Sequence, residues 1–257
     1  MIIAADVGNT CIAIGVYDVN DVLIRHFVMP SDLNTGLKDF EDFFISNLSG
    51  IKEFDGAIIG SVVDELNDRI CYAILDLYNI QPVMLTSDMN TGITIALKNN
   101  SEIGADRIAN GYRAYELYKR AVIAVDFGTA TTFDIVNSKG IFVGGIIAPG
   151  INTQLSSLNN STSKLPKINA GYIDKVIGKC TFEAVLSGVV RGTACMADGM
   201  LGLCEAELGE KAAIISTGGF SNIISKYMVK KFDAVISNLT LEGLRDLYKL
   251  NSKAKIF

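Results

Sequence analysis

The order of apolar and polar positions repeats between the two halves of the chain. Residues 2–10 read IIAADVGNT, and residues 122–130 read VIAVDFGTA. Each is an apolar run followed by Asp, an apolar residue, Gly and a small polar residue. Two more β-rich segments follow each run, separated by turn clusters. Each half is therefore predicted to begin with three strands, with Asp6 and Asp126 at matching ends of the first strand.

After these strands, the apolar spacing in each half alternates between helical and strand-like. The predicted elements of the first half are a helix around 37–48, a strand at 56–61, a helix at 65–78, a strand at 82–86 and a helix at 105–119. Those of the second half are a helix at 181–208, a strand at 212–216, a helix near 221–231, a strand at 233–236 and a helix from Thr240.

Both halves thus read βββαβαβα. This order predicts an α/β protein of two related domains, each with a mixed sheet flanked by helices, and a cleft between the domains. The predicted domains are residues 1–112 and 113–257, and the helix at 105–119 is the expected hinge.

Composition and charge disfavour two classes of partner. Hydrophobic residues make up 49% of the chain, but the longest stretch without a charge contains Pro149, Asn152 and Gln154, which a lipid-facing helix would exclude. The 23 basic residues are outnumbered by 28 acidic ones, whereas a protein that binds a nucleic-acid backbone usually has the opposite balance. We therefore expect neither a membrane nor a nucleic acid as partner.

Cysteine and histidine narrow the chemistry further. The five cysteines form no CxxC pair and are odd in number, as expected in a reducing cytoplasm without a zinc site. The N-terminal segment has no basic region like that of a signal peptide. His26 is the only histidine, so acid or base work falls to carboxylates.

The two repeated turns are suited to binding phosphate. A tight turn at Gly8 lets backbone N–H groups approach an anion, and Asp6 at the strand end can hold a hydrated Mg²⁺. The DFGTATT turn, which begins at Asp126, offers a second set of donors. One such turn alone is more often only a hairpin, but two at matched places in a repeat suit a nucleoside triphosphate.

A third candidate is the segment EIGADRIANGYRAY, which begins at Glu102. Gly104 precedes Asp106 and Arg107 at the start of an amphipathic helix, where the helix dipole favours an anion or an ionised carboxylate. Asp106 can act as a general base toward an alcohol, and Arg107 can bind an acidic substrate or neutralise a phosphoryl group. The alternative is that Asp106 is only a first-turn helix residue and Arg107 a solvated neighbour.

Taken together, these motifs resemble the type III pantothenate kinases of the acetate and sugar kinase, Hsp70 and actin superfamily. The resemblance runs nearly end to end and rests on DVGNT at 6–10, GADR at 104–107, DFGTATT at 126–132, GGIIAPG at 144–150 and CTFEAVLSG at 180–188. It implies two duplicated ribonuclease H-like (actin-like ATPase) domains and ATP-dependent phosphorylation of pantothenate to 4'-phosphopantothenate, the first step of coenzyme A biosynthesis.

The resemblance also implies the site residues. Asp106 occupies the position of the catalytic base, and Asp126 that of the ligand for a monovalent cation, K⁺ or NH₄⁺, while Mg²⁺ accompanies the ATP. Thr181 matches a substrate-contacting threonine supplied by the neighbouring subunit, which implies a homodimer. The expected ATP-binding residues are Asp6, Val7, Gly8, Asn9, Thr10, Cys11, Ile12, Ala13 and Thr129, and the expected pantothenate-binding residues are Gly104, Ala105, Asp106, Arg107 and Thr181.

Three positions depart from the family pattern. Leu97 stands where an aromatic residue often contacts the substrate, Asn100 lies near a commonly proline position, and Cys180 replaces an asparagine. Two alternatives therefore stay open. One is a non-catalytic, nucleotide-binding accessory or regulatory homologue, and the other is a kinase or phosphatase of the same superfamily acting on another small alcohol or acid.

Overall fold

The computed structural model describes residues 1–51, 53–161, 165 and 167–252, and its chain packs as two compact units. The first unit comprises Met1–Arg113 together with the helix at 239–252, and the second comprises Ala114–Asn238. The sequence prediction assigned all of 113–257 to the second domain, and the structure corrects this for the C-terminal helix.

The first unit is built on a five-stranded mixed sheet. Its central strand β1 (Ile2–Val7) pairs antiparallel with β2 (Cys11–Tyr17) and parallel with β4 (Gly56–Ser61). The sheet order is β3-β2-β1-β4-β5. The other elements are β3 (Leu23–Pro30), α1 (Leu37–Asn47), α2 (Asp64–Tyr78), β5 (Val83–Met84), β6 (Thr94–Ile95), a 3₁₀ turn (Asn100–Glu102), α3 (Ala105–Tyr118), which crosses the unit boundary, and α8 (Leu239–Ser252).

Alternate side chains of β1 point to opposite faces of this sheet. Ile3, Ala5 and Val7 are buried in one core with residues of α1 and α2 such as Phe40 and Leu66. On the other face α8 packs against the strands, because glycine leaves room for it: a Cβ on Gly60 would lie 2.9 Å from a methyl carbon of Leu244. An amphipathic helix packs its apolar face against a neighbouring layer, and α8 packs against the first sheet.

The second unit repeats this plan. Its sheet runs in the order β11-β10-β7-β8-β9, with β7 antiparallel to β8 and parallel to β10. Its elements are β7 (Val122–Phe127), β8 (Ala130–Val136), β9 (Ile141–Pro149), α4 (Ile151–Ser161), α5 (Thr181–Leu186), a π turn (Ser187–Arg191), α6 (Gly192–Leu208), β10 (Ala213–Thr217), α7 (Ser221–Ile224) and β11 (Ala234–Val235).

The predicted α/β architecture, with its strands and helices following βββαβαβα in each half, is confirmed with local differences. The helix α4 was not predicted, and the predicted helix at 181–208 is interrupted by the π turn at Ser187–Arg191. The helix expected near 221–231 is only the single turn α7, followed by hydrogen-bonded turns. Within the residues that the structure describes, no helix combines the length and apolarity that crossing a bilayer requires.

Candidate active site

The first repeated turn joins β1 to β2 and leaves its polar residues open to solvent. Gly8 N donates to Cys11 O at 3.0 Å, and a Cβ on Gly8 would lie 3.1 Å from that oxygen. Asn9 and Thr10 are exposed, and Asp6 is half-buried at the strand end. These groups can face a bound ligand.

Other residues of the expected ATP-binding segment have a different environment. Val7 and Ile12 are fully buried core residues. Cys11 is exposed and Ala13 is half-buried. Any ligand contact from Val7 or Ile12 therefore has to come from the backbone, because their side chains are buried in the core of the first unit.

The GADR segment begins α3. Asp106 Oδ1 accepts a hydrogen bond from Arg107 N at 2.9 Å, so the carboxylate folds back over the first turn. Gly104 fits against this carboxylate so closely that a Cβ there would overlap Asp106 Oδ1. Burial raises the pKa of Asp106, and the neighbouring backbone and charge of Arg107 oppose this only in part. Ala105 beside it is buried.

In the first unit, the structure brings the start of α3 to the same sheet edge as the Asp6 turn. Asp6 is paired with Gly60 across β1 and β4, and a Cβ on Gly60 would lie 3.4 Å from Ala105 Cβ. A Cβ on Gly104 would lie 3.3 Å from Val62 Cγ1, at the end of β4. The phosphate-binding candidate and the base candidate therefore stand at the carboxyl ends of neighbouring parallel strands, where α/β proteins bind ligands.

Leu97 and Asn100, which both lie where the sequence departs from the family pattern, are joined by a hydrogen bond. Leu97 is half-buried, and its N–H donates to Asn100 Oδ1 at 3.2 Å. Asn100 Nδ2 donates in turn to Ile95 O at 3.3 Å. The Asn100 side chain thus bridges two backbone groups of the segment that precedes it.

The second repeated turn surrounds Asp126 with glycine. A Cβ on Gly128 would lie 3.1 Å from Asp126 Oδ1, and a Cβ on Gly218 would overlap the same oxygen and the backbone of Phe127. Gly218 has φ +88°, a conformation that favours glycine. Asp126 is half-buried at the end of β7, paired with Thr217 of β10.

Thr129 is exposed at the tip of this turn, and α4 holds its backbone. Gly150 N donates to Thr129 O at 3.1 Å, and Thr153 Oγ1 donates to the same oxygen at 2.8 Å. Sequence reasoning missed Thr153. The sequence feature that could have pointed to Thr153 is Gly150, the last residue of the GGIIAPG motif, which precedes it by three positions.

Thr181 is the first residue of α5 and is exposed. It lies at a pocket of about 780 Å³ in the second unit, whose lining includes Pro149, Gln154 and Val185. Cys180, which replaces the asparagine of the family pattern, is the N-cap residue of α5 and forms no side-chain capping bond.

Comparison with known proteins identifies the family. The family model described as type III pantothenate kinase matches residues 2–202. The type III pantothenate kinase of Moorella thermoacetica is 36% identical over 256 residues, which cover 98% of this chain and 100% of the relative. The chain belongs to the type III pantothenate kinase family.

Two further comparisons agree with this family and its fold. The type III pantothenate kinase of Dehalococcoides mccartyi is 35% identical over 97% of this chain and 96% of its own length. The crystal structure of MreB 5 of Spiroplasma citri bound to AMPPNP is 12% identical but superposes with a TM-score of 0.57, covering 99% of this chain and 97% of that one. The predicted actin-like fold of two ribonuclease H-like domains is confirmed.

The surroundings of Asp126 bear on whether its carboxylate can hold a cation. Two glycines leave space at its carboxylate that a Cβ would fill. No group of three or more His, Cys, Asp and Glu side chains suited to a metal ion occurs among the described residues. A carboxylate oxygen is a hard ligand, which suits an alkali or alkaline-earth cation better than a metal that prefers nitrogen or sulfur ligands.

Proposed function

We propose that this chain transfers the γ-phosphoryl group of ATP to the primary hydroxyl of pantothenate, giving 4'-phosphopantothenate, and that Asp106 is the general base. Membership of the type III pantothenate kinase family supports the reaction. The observation that carries the residue assignment is the Asp106 carboxylate, partly buried at the start of α3 and at the same end of the sheet as the Asp6 turn.

Asp106 has the properties that a base for an alcohol needs. Its Oδ1 is engaged by Arg107 N, which fixes the side-chain rotamer. Burial raises the pKa of Asp106, so its ionised carboxylate accepts a proton more readily than that of an exposed aspartate does. The carboxylate accepts a hydrogen bond from the substrate hydroxyl and takes its proton as the oxygen attacks phosphorus. Phosphoryl transfer otherwise depends on positioning and charge, so no histidine is needed.

The Asp6 turn supplies the contacts for the phosphates. Exposed Asn9 and Thr10 donate side-chain hydrogen bonds, and the Gly8 turn presents backbone N–H groups at close range. Mg²⁺, when bound, neutralises charge on the β- and γ-phosphate oxygens, and Asp6 is the carboxylate that would hold it through water. Arg107 contributes a fixed positive charge for the pantothenate carboxylate.

In the second unit, Thr129 adds a further ATP contact and Asp126 holds K⁺ or NH₄⁺. Thr129 is exposed at the tip of the turn, and hydrogen bonds from Gly150 N and Thr153 Oγ1 to its carbonyl hold the turn in place. A monovalent cation at Asp126 supplies positive charge that favours the bound triphosphate.

We further propose that the enzyme is a cytoplasmic homodimer in which Thr181 contacts pantothenate bound to the neighbouring subunit. Thr181 is exposed at the first position of α5, as a residue that reaches another molecule must be. All five cysteines are free, which suits a reducing compartment.

A coupled assay of ADP release tests the proposed reaction. With high ATP, Mg²⁺ and K⁺ present, ADP release should depend on added pantothenate, and mass spectrometry should detect the phosphorylated product. No ADP release would favour a non-catalytic homologue. Release only with another alcohol or acid would identify a different kinase of the superfamily.

A further inference from the structure

The segment that leads into Thr181 has no regular secondary structure, yet one side chain holds it in place. We call residues 171–180 the strap. Ile173 N donates to Tyr227 Oη at 2.7 Å, and Tyr227 Oη donates to Ile173 O at 3.0 Å. A single phenol thus satisfies both backbone groups of one residue, as a neighbouring strand would.

The π turn supplies two more anchors to the strap. Arg191 Nη2 donates to Ile173 O at 3.0 Å and also to Asp174 O. Ser187 Oγ donates to Val176 O at 2.5 Å. Both anchoring residues belong to the π turn, a local widening of a helix that occurs frequently at functional sites.

Aromatic contacts connect the anchors into one cluster. The Arg191 guanidinium lies 4.5 Å from the centre of the Tyr227 ring, and the Tyr172 ring stacks on the same ring at 5.6 Å with an interplanar angle of 19°. A guanidinium over an aromatic face is attracted by the ring quadrupole. The Tyr227 ring is therefore held by a cation and by a second aromatic ring.

The end of the strap contacts the first turn of α5. Lys179 N donates to Glu183 Oε2 at 2.7 Å, and a Cβ on Gly178 would overlap Ala184 N. Any movement of the strap is consequently transmitted to the helix start that presents Thr181, two residues farther along the chain.

We infer that Tyr227 and Arg191 are positioning residues for pantothenate binding, acting through the strap on Thr181. This inference rests on the proposed function, because it needs Thr181 to contact the substrate. Ile173 packs against the core of the second unit, but Val176 and Ile177, which lie nearer to Thr181, are exposed. The part of the strap next to Thr181 therefore depends on its polar anchors.

Steady-state kinetics of Tyr227→Phe and Arg191→Lys test the inference. Tyr227→Phe keeps the ring stack and removes both hydrogen bonds, so the KM for pantothenate should rise about three- to tenfold, with kcat and the KM for ATP nearly unchanged. Arg191→Lys should act in the same direction. Lys226→Met is the matched control, because Lys226 contacts the strap only at the Tyr172 ring, at 5.2 Å, and donates no hydrogen bond to the described strap backbone.

A double-mutant cycle separates this inference from the proposed function. Thr181→Ala should raise the KM for pantothenate, and Tyr227→Phe should add nothing to it in that background. If Thr181→Ala leaves this KM unchanged, the substrate contact itself is wrong and the inference falls with it. If Thr181→Ala raises it but Tyr227→Phe and Arg191→Lys do not, or if the two effects simply add, the positioning role is overturned while the substrate contact stands.

Discussion

The Cα of Gly218 lies so close to Asp126 that a Cβ at position 218 would overlap the Oδ1 atom of that carboxylate. The same Cβ would meet the N and C atoms of Phe127, which are backbone and cannot rotate away. A small residue at 218 therefore determines where the Asp126 carboxylate stands.

Gly218→Ala should displace Asp126 and weaken activation by K⁺. The backbone at 218 has φ +88°, so alanine adds conformational strain to the overlap, and we expect a loss of about 1–3 kcal/mol in the free energy of unfolding. Titration of activity with K⁺ should show a higher half-saturating concentration.

Gly219→Ala is the control for that prediction. Nothing lies within 4 Å of a Cβ at Gly219, and its φ is not in the left-handed region. Its K⁺ titration and melting temperature should match the wild type. Equal K⁺ dependence in both variants would remove the link between Gly218, Asp126 and the cation.

Replacing the proposed base should reduce turnover with little effect on nucleotide binding. Asp106→Asn keeps an oxygen for Arg107 N but cannot take a proton, so kcat should fall about 10²- to 10⁴-fold. The KM for ATP should change little. Wild-type turnover in this variant would show that Asp106 is not the base.

The pH dependence of activity should report the same carboxyl group. Burial raises the pKa of Asp106, and the base works only when ionised. Accordingly kcat/KM for pantothenate should fall as the pH decreases through that raised pKa. A profile without this acidic limb, measured at constant K⁺ and Mg²⁺, would contradict the assignment.

The raised pKa of Asp106 also predicts a stability difference. Because the folded-state pKa lies above the unfolded one, ionising Asp106 opposes folding: the cost is absent below the unfolded pKa and complete above the folded pKa. Asp106→Asn should therefore melt at a higher temperature than the wild type near neutral pH, and this difference should shrink in acid. Asp64→Asn, at the exposed first turn of α2, should show no such gain.

Local sequence signals predicted the parts of the molecule that depend on neighbours in the chain. The repeated strand and glycine turn around Asp6 and Asp126 could be recognised because a hairpin needs only adjacent residues. The start of α3 at Gly104 could be recognised for the same reason. The helix α4 escaped prediction because only Ile151 and Leu155 of its eleven residues are buried, too few to establish a helical period.

Contacts between distant segments could not be predicted in this way. Amphipathic spacing indicates that α8 has a buried face, but Leu244 meets Gly60 only because the chain returns to the first sheet. Likewise, Tyr227 binds Ile173 across 54 residues, and no local pattern marks either of them. The anchors of the strap therefore emerged only from the three-dimensional structure.

The proposed contribution of Thr181 to a neighbouring subunit's site predicts complementation between two defective variants. Asp106→Asn and Thr181→Ala should each be impaired when assayed alone at low pantothenate. In a mixed dimer, the subunit carrying Thr181→Ala keeps Asp106 and receives an intact Thr181 from its partner, so one site is fully wild type. The doubly altered site in the other subunit stays inactive.

Co-expression with two different affinity tags would isolate that mixed dimer. Its activity at low pantothenate should clearly exceed that of either parent, and its KM for pantothenate should equal the wild-type value. If Thr181 instead served the site of its own subunit, every site in the mixed dimer would carry one defect, and its rate would be the mean of the two parents. A monomer in analytical ultracentrifugation at assay concentration would likewise rule out a shared site, because no second subunit would be present to supply the hydroxyl.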